Sequence, residues 1–290
     1  MIVLKLQGGL GNQLFQLLAY QRLLELHDNI FIDVSEYNFP FNNGYRRFDL
    51  DSFTIPKLNY ISFSNSIKKM IFYKIFYRKV KLFSNSFKKK LLLIDSQKSS
   101  LLSDDLHEVP DNSYIEGYFG QIRFLSNWFE KFFTFKSKIV NNKSINKAYN
   151  TIMNSNSVSV HVRRSDYLLE SERYGGICTV DYYKKAMLFF QKKIENPIFY
   201  FFSDDIEWCK ETFVADKIIF VDKTFVDYNN STVEDLFLMS CCRHNIIANS
   251  TYSWWGAMLN RNFDKIIIRP PKWASDNDGE EIFPKNWITI

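Results

Sequence analysis

Ser157-Val-Ser-Val-His-Val-Arg-Arg-Ser-Asp-Tyr167 is the stretch on which the fold turns. Val158, Val160 and Val162 alternate with Ser159, His161 and Arg163, and a period of two predicts a strand. The polar face carries His161 and Arg163, Arg164 follows at the strand exit, and Asp166 comes two residues later. Two guanidiniums at the C-terminal end of a strand suit a doubly charged anion, because each is a planar fork matched to phosphate oxygens. In open α/β sheets ligands bind just outside such strand ends. The competing reading is a surface arginine pair satisfied by Asp166 and solvent.

Outward from this stretch, strand and helix alternate. Strands are expected at 158–162, 198–202, 217–221, 245–248 and 265–268, with helices at 181–194, 206–213, 232–242 and 253–262. That alternation predicts a doubly wound parallel sheet. Upstream, residues 1–7 read as a buried strand, followed by Gly8-Gly9-Leu10-Gly11-Asn12-Gln13, an apolar helix over 14–26 and a strand at 30–34. This is a βαβ unit, and its glycines permit close backbone approach to a ligand at a helix N-terminus. The spacing is neither the dinucleotide G-x-G-x-x-G nor a P-loop with its Lys. A tight turn packed under the helix is the alternative. Residues 113–117 read as a strand, 118–133 as an aromatic helical segment, and the polar, Asn-rich run 136–156 as the domain junction.

Two further stretches carry chemistry. Phe202-Ser203-Asp204-Asp205 takes a strand into paired carboxylates, which suit a guanine edge or a ribose hydroxyl. The same residues suit the cap of the next helix. A metal-binding Asp-x-Asp is ruled out, because residue 206 is Ile. Ser231-Thr-Val-Glu234 has the capping-box pattern. His244 to Gly256 then empties a buried strand into Asn249-Ser250-Thr251-Tyr252-Ser253 and a helix opening on Trp254-Trp255, where backbone N–H groups and hydroxyls suit a pyrophosphate. Packing is the commoner role for such a tryptophan pair.

At 290 residues, two domains are the natural expectation, 1–150 and 151–290. The formal charge of +5 is uneven: residues 1–150 carry 21 Lys/Arg against 13 Asp/Glu, net +8, and residues 151–290 carry 16 against 19, net −3. From Ser52 to Ile94 there is no acidic residue, while Lys57 and nine further Lys/Arg interleave with Phe and Tyr. That composition predicts a basic helical insertion, solvated or laid on an anionic membrane surface. Four cysteines without metal-ligand spacing read as reduced thiols. The chain opens on a strand rather than an apolar leader, and no run of about 18 apolar residues occurs. The expected location is therefore cytoplasmic, with peripheral contact on the inner membrane face through 52–94. Nucleic acid is not expected.

Taken in order, Gly8-Gly-Leu-Gly-Asn-Gln-Leu-Phe-Gln16, His161-Val-Arg-Arg-Ser-Asp-Tyr167, Phe202-Ser-Asp-Asp205 and Asp235-Leu-Phe-Leu-Met-Ser240 through Ala257 resemble the α-1,2-fucosyltransferases of glycosyltransferase family 11. The blocks span nearly the whole chain. The resemblance implies a GT-B-like α/β fold of two Rossmann-type domains facing across a cleft, the first on the acceptor side and the second binding the donor. It implies inverting transfer of L-fucose from GDP-L-fucose to the 2-hydroxyl of a galactose-type glycan, lipid-linked or free, in surface-glycan synthesis, with no metal and no cofactor. The arginine block is shared with α-1,6- and protein O-fucosyltransferases, so the donor follows more firmly than the linkage.

On that resemblance Arg163 and Arg164 hold the diphosphate, and cations take the place of a metal where charge grows on the leaving group. His161, Ser203, Asp204 and Asp205 orient the guanosine. Gly9, Gly11 and Asn12 lie near the reacting centre, and Asn249, Ser250, Thr251 and Ser253 complete the donor site. Asp166 is the candidate base, Glu170 and Glu172 are its alternatives, and a purely orienting role for Asp166 stays open. A catalytically inactive sugar-nucleotide- or glycan-binding protein is the rival of another class.

Overall fold

Strong periodicity in the sequence places most elements of the fold. A computed structural model describes residues 1–38, 46–60, 92–95, 106–122, 125, 133–228 and 230–290. It divides into two compact units, Met1–Gly8 with Phe15–Phe48 and Pro56–Phe119, and Gly9–Leu14 with Asp49–Ile55 and Gly120–Ile290.

In the first unit, β1 (Ile2–Lys5), β2 (Ile30–Asp33) and α1 (Leu10–Leu26) from Phe15 onward form the expected βαβ unit, while the opening turn of α1, up to Leu14, belongs to the second unit. β4 (Leu92–Asp95) and β5 (Ser113–Glu116) extend it to a sheet of order β2-β1-β5-β4, parallel at every pair. α1 starts four residues earlier than expected. Gly8, at φ 79°, makes the turn, so Gly11 and Asn12 fall in the first helical turn. Leu14, Phe15, Leu17, Leu18, Ala19, Tyr20 and Leu23 are all buried, which makes α1 a core helix rather than an amphipathic one.

The second unit holds β7 (Asn156–Val162), β8 (Pro197–Ser203), β9 (Ile218–Phe220), β10 (His244–Ile246), β11 (Ile267–Arg269) and β12 (Ile288–Thr289). Their order is β12-β11-β10-β7-β8-β9, again parallel throughout. The chain winds outward from β7 to β9, returns to β10 on the other side of β7, and winds outward again. The reversal between β7 and β10 is the switch point at which doubly wound sheets bind ligand.

After β7 come the short helices α4 (Ser165–Leu169) and α5 (Ser171–Tyr174), and connecting helices α6 (Val180–Lys193), α7 (Ile206–Thr212), α8 (Ser231–Cys241) and α9 (Thr251–Met258) lie close to their expected spans. Val158, Val160, Phe199 and Phe201 are fully buried in one cluster with Tyr183 and Phe190. At roughly 1.5–3 kcal/mol per buried side chain, this cluster anchors the central strands. Trp254 and Trp255 are also fully buried, Phe133 stacks on Trp255 at 5.2 Å, and Trp254 Nε1–H donates to Ile282 O, so the pair is packing.

Several expectations change. Both faces of β7 are buried, a point the alternation left open: Ser159 and His161 are buried with the valines, and Ser159 Oγ accepts from Asn245 Nδ2 at 2.7 Å. The polar run 136–156 is no linker but α2 (Ser137–Val140), α3 (Lys143–Met153) and the start of β7, with Ile139, Ile145, Ala148 and Ile152 buried on one side. Residue 150 lies inside α3. Residues 118–121 are not helical, and Phe119 takes φ 52°, which no α-helix accommodates. Beyond them comes β6 (Thr134–Phe135), paired antiparallel with β3 (Phe53–Thr54), while 126–132 fall outside the described residues. The basic insertion expected over 52–94 likewise falls largely outside them, at 61–91. No helix among the described residues is long and apolar enough to cross a membrane.

Candidate active site

The exit of β7 gathers both arginines and three aspartates. Arg163 Nε and Nη2 donate to the two carboxylate oxygens of Asp166 at 2.7 and 2.6 Å, and Nη1 lies 3.1 Å from Asp204 Oδ2. Two of its five N–H groups donate to Asp166, and Asp204 faces Nη1 as an ion pair. At least one N–H on each Nη remains without a hydrogen-bond partner among the described residues. Burial works against the charge on Arg163, but the carboxylates of Asp166 and Asp204 outweigh it and hold the guanidinium charged.

Asp204 organises this turn. It accepts from the backbone N–H of Arg164 at 2.9 Å and of Ser165 at 3.2 Å as well as facing Arg163. Asp205 caps α7 through Trp208 N–H and also accepts from Arg164 Nε at 2.9 Å. The Arg164 guanidinium stacks over Trp208 at 4.3 Å. Ser203 Oγ accepts from the Asp205 amide. The Phe202–Asp205 block is therefore engaged with the arginines and its own cap. All three carboxylates of the site are engaged in these contacts.

Across the switch point, the exit of β10 is neutral. Ser250 caps α9 by accepting from Tyr252 N–H. Ser253 is buried, donating to Ala248 O and accepting from Ala248 N–H. Asn249 is buried with both ends of its amide engaged: Nδ2 donates to Trp273 O, and Oδ1 accepts from Cys178 Sγ. Tyr167 O–H donates to Asn249 O at 2.7 Å and so joins the two exits. Thr251 Oγ1 donates to Asn12 Oδ1 at 2.9 Å. Gly9 O accepts the amides of Asn12 and Gln13, opening α1. A Cβ on Gly11 would lie 2.6 Å from Thr251 C and from Tyr252 N, so only glycine permits this approach. Residues 9–14 belong to the same compact unit as α9.

His161 is 3% exposed, with Nδ1 unpartnered and its ring 5.4 Å from that of Tyr252. Burial, aided by the charge of Arg163, pulls its pKa down to about 3, so it is neutral. Sequence reading passed over what lies behind Tyr252. Asp235, in the first turns of α8, accepts from Tyr228 O–H. Burial, with the adjacent Glu234 charge, pushes its pKa up to about 7 against the pull of that hydrogen bond. Glu234 accepts from Asn142 Nδ2 at 2.6 Å and from the Asn230 amide, and Asn230 Nδ2 donates to Asp49 Oδ1 at 2.9 Å. The capping-box pattern marked this helix start, but the partners Asn142 and Asp49 are distant in sequence and left no local signal.

The description "Glycosyl transferase family 11" matches residues 1–290. Escherichia coli O-antigen biosynthesis glycosyltransferase WbnK is 31% identical over 98% of this chain and 99% of its own length. An E. coli alpha-1,2-colitosyltransferase is 32% identical over 100% and 98%. A galactoside alpha-(1,2)-fucosyltransferase 1 of Ateles belzebuth is 34% identical over 35% of this chain and 28% of its own. In fold, the NodZ alpha-1,6-fucosyltransferase co-crystallized with GDP is similar at a TM-score of 0.51 and 14% identity, covering 89% of this chain and 92% of that one. The α/β fold is thus GT-B-like, and the chain belongs to glycosyl transferase family 11.

Proposed function

We propose that the protein transfers L-fucose from GDP-L-fucose to the 2-hydroxyl of a galactose-type acceptor during surface-glycan synthesis, with inversion and without a metal. The observation that carries this reading is Arg163. Charge-assisted contacts to Asp166 and Asp204 orient it at the switch point and leave an N–H on each Nη for phosphate oxygens. Directed cations of this kind can stabilise the charge that grows on a departing diphosphate, the task a metal performs elsewhere. Arg164, held flat on Trp208 by Asp205, supplies the second fork. We read Asp166 as the residue that orients Arg163, because a carboxylate held at both oxygens by a guanidinium is a poor proton acceptor. Neutral His161 faces the nucleoside as a hydrogen-bonding ring.

The O-antigen and galactoside relatives support the glycan context and the acceptor class. One relative favours a second reading of the donor. The alpha-1,2-colitosyltransferase matches over the whole chain, and colitose is L-fucose without the 3-hydroxyl. A clamp on the diphosphate is compatible with either sugar.

The test offers labelled GDP-L-fucose and GDP-colitose separately to a panel of β-galactosides, with and without excess EDTA, and assigns the product linkage by NMR. The expected result is an α-1,2-fucosylated product at the same rate in chelator. Transfer from GDP-colitose alone would move the donor to the second reading. Loss of activity in EDTA that Mn²⁺ or Mg²⁺ restores would overturn the metal-free mechanism.

A further inference from the structure

The first turns of α1 and α9 meet more closely than a side chain allows. The atoms nearest a Cβ on Gly11 are backbone atoms of Thr251 and Tyr252, so no rotamer change would relieve the clash. That contact brings the Thr251 hydroxyl to 2.9 Å from Asn12 Oδ1. The buried Gln13, next in the chain, accepts from the Asp49 amide at 3.0 Å, and Asp49 accepts from Asn230, which fixes the turn from behind. The bond to Thr251 takes the carbonyl end of the Asn12 amide. Its Nδ2 end has no protein partner among the described residues, and the residue is only partly buried.

The hydroxyl takes one lone pair of the carbonyl and so holds that end of the amide against Thr251. The opposite end presents its two N–H donors. Without the Thr251 hydroxyl, the amide could rotate by half a turn and present its oxygen instead, which an anionic leaving group would repel.

We propose that Thr251 is a positioning residue that sets the orientation of Asn12, and that Asn12 so held donates to the oxygen departing with the nucleotide. This rests on the reading of the reaction given above. As the bond between the sugar carbon and the diphosphate oxygen breaks, its electron pair stays on that oxygen. The Asn12 N–H groups stabilise the added charge without transferring a proton. Arg163 contacts the phosphates before and after this step, whereas the Asn12 bond strengthens as the charge develops, so it acts on turnover more than on donor binding.

The test compares Thr251→Val, Thr251→Ser, Asn12→Ala and the Thr251→Val/Asn12→Ala double variant, using whichever GDP-sugar the wild type transfers. Thr251→Val keeps the branched shape that packs on Gly11 and removes only the hydroxyl. Loss of one donor to a developing oxyanion costs about 10²–10³ in turnover, so losing its orientation should lower kcat about 10- to 100-fold. The donor KM should stay within about threefold, as for loss of an interaction made in the transition state. Thr251→Ser should restore turnover, and the double variant should be no slower than Asn12→Ala alone. Wild-type turnover in Thr251→Val, no rescue by Ser, or losses that add in the double variant would each overturn the proposal. Thermal melts of all four identify any variant that fails to fold, and Thr251→Ser against wild type then decides alone: parity supports the proposal and a loss matching Asn12→Ala overturns it. If the wild type uses only GDP-colitose, the donor reading fails while the variant ratios still test Thr251. If it uses neither sugar, the proposal fails together with the reading beneath it.

Discussion

The exits of β7 and β10 flank one strand-order reversal and are built from opposite chemistry. At β7, two arginines face Asp166, Asp204 and Asp205, and each guanidinium is tied to at least one of them. At β10, the residues are amides and hydroxyls that bond to backbone and to each other. With three acids against two bases, the β7 exit is not a positive field that draws in an anion from a distance. It is a set of N–H groups held at fixed angles, and an anion gains there by direction rather than by net charge. The β10 exit achieves direction without charge. One side should therefore be sensitive to the shape of a cation, and the other to single neutral hydrogen bonds.

The sharpest break in that contrast is Arg163→Lys. An ammonium keeps the charge but cannot make the two bonds to Asp166 and still present an N–H on each Nη. Turnover should fall by about a hundredfold or more, since one charged transition-state contact is worth on the order of 3 kcal/mol. The far-ultraviolet circular dichroism spectrum should be unchanged. A folded Lys variant with near wild-type turnover would show that net charge suffices at β7, and the contrast would collapse.

A smaller loss is expected from Asp204→Asn. Asp204 accepts from two backbone amides with different oxygens and also faces Arg163. An Asn offers one acceptor oxygen and turns an NH₂ toward a donor, leaving a backbone amide or the guanidinium poorly matched. An unmatched group of this kind costs roughly 1–3 kcal/mol, and with partial solvent access about a tenfold fall in kcat/KM is expected. The measurement is steady-state kinetics with calorimetric GDP binding. An unaffected kcat/KM would mean that Asp204 does not orient the arginines.

How much of this was legible follows from the same contrast. The β7 exit could be read because Val-x-Val-x-Val fixes a strand and consecutive arginines at its end are conspicuous. The doubly wound class could be read because β7, β8, β9 and β10 are each followed by helix before the next strand. β12 escaped notice because it has two exposed residues. The reading of Asp204 and Asp205 as nucleoside ligands did not foresee the ion pair of Asp204 with Arg163, nor the hydrogen bonds of both to Arg164, 40 and 41 residues away in sequence. Gly11 and Asn12 looked like a loop because glycine normally ends helices, and only contact with Thr251, 239 residues away, explains a glycine in the first turn. Asp235 stood in a block of the resemblance, but its displaced pKa left no signal, since that comes from enclosure by residues the chain brings together only on folding.

The smallest expected effect concerns two groups just behind these exits, His161 behind β7 and Asp235 behind Tyr252. Burial pulls His161 down from 6.5 to about 3, so as pH falls through that interval the unfolded chain takes up the proton first. Stability from this group is complete above pH 6.5 and is lost progressively toward pH 3. Asp235 runs the other way. Its pKa is raised from 3.8 to about 7, so the folded chain holds the proton more tightly, and stability is lost as pH rises from 3.8 through 7. Between about pH 4 and 6.5 the two slopes oppose, and the wild-type profile should be flatter than either group alone would make it. His244, also lowered by burial, adds to the His161 slope in every variant. The lowered carboxylate of Asp222 acts only below pH 3.8. Urea unfolding midpoints at pH 4.5, 5.5, 6.5 and 7.5 provide the measurement. His161→Gln should gain stability relative to wild type as pH falls, and Asp235→Asn should lose it. Parallel curves for all three proteins would mean that neither group is displaced on folding. The picture of a neutral imidazole beside a charged arginine clamp would then have to be abandoned.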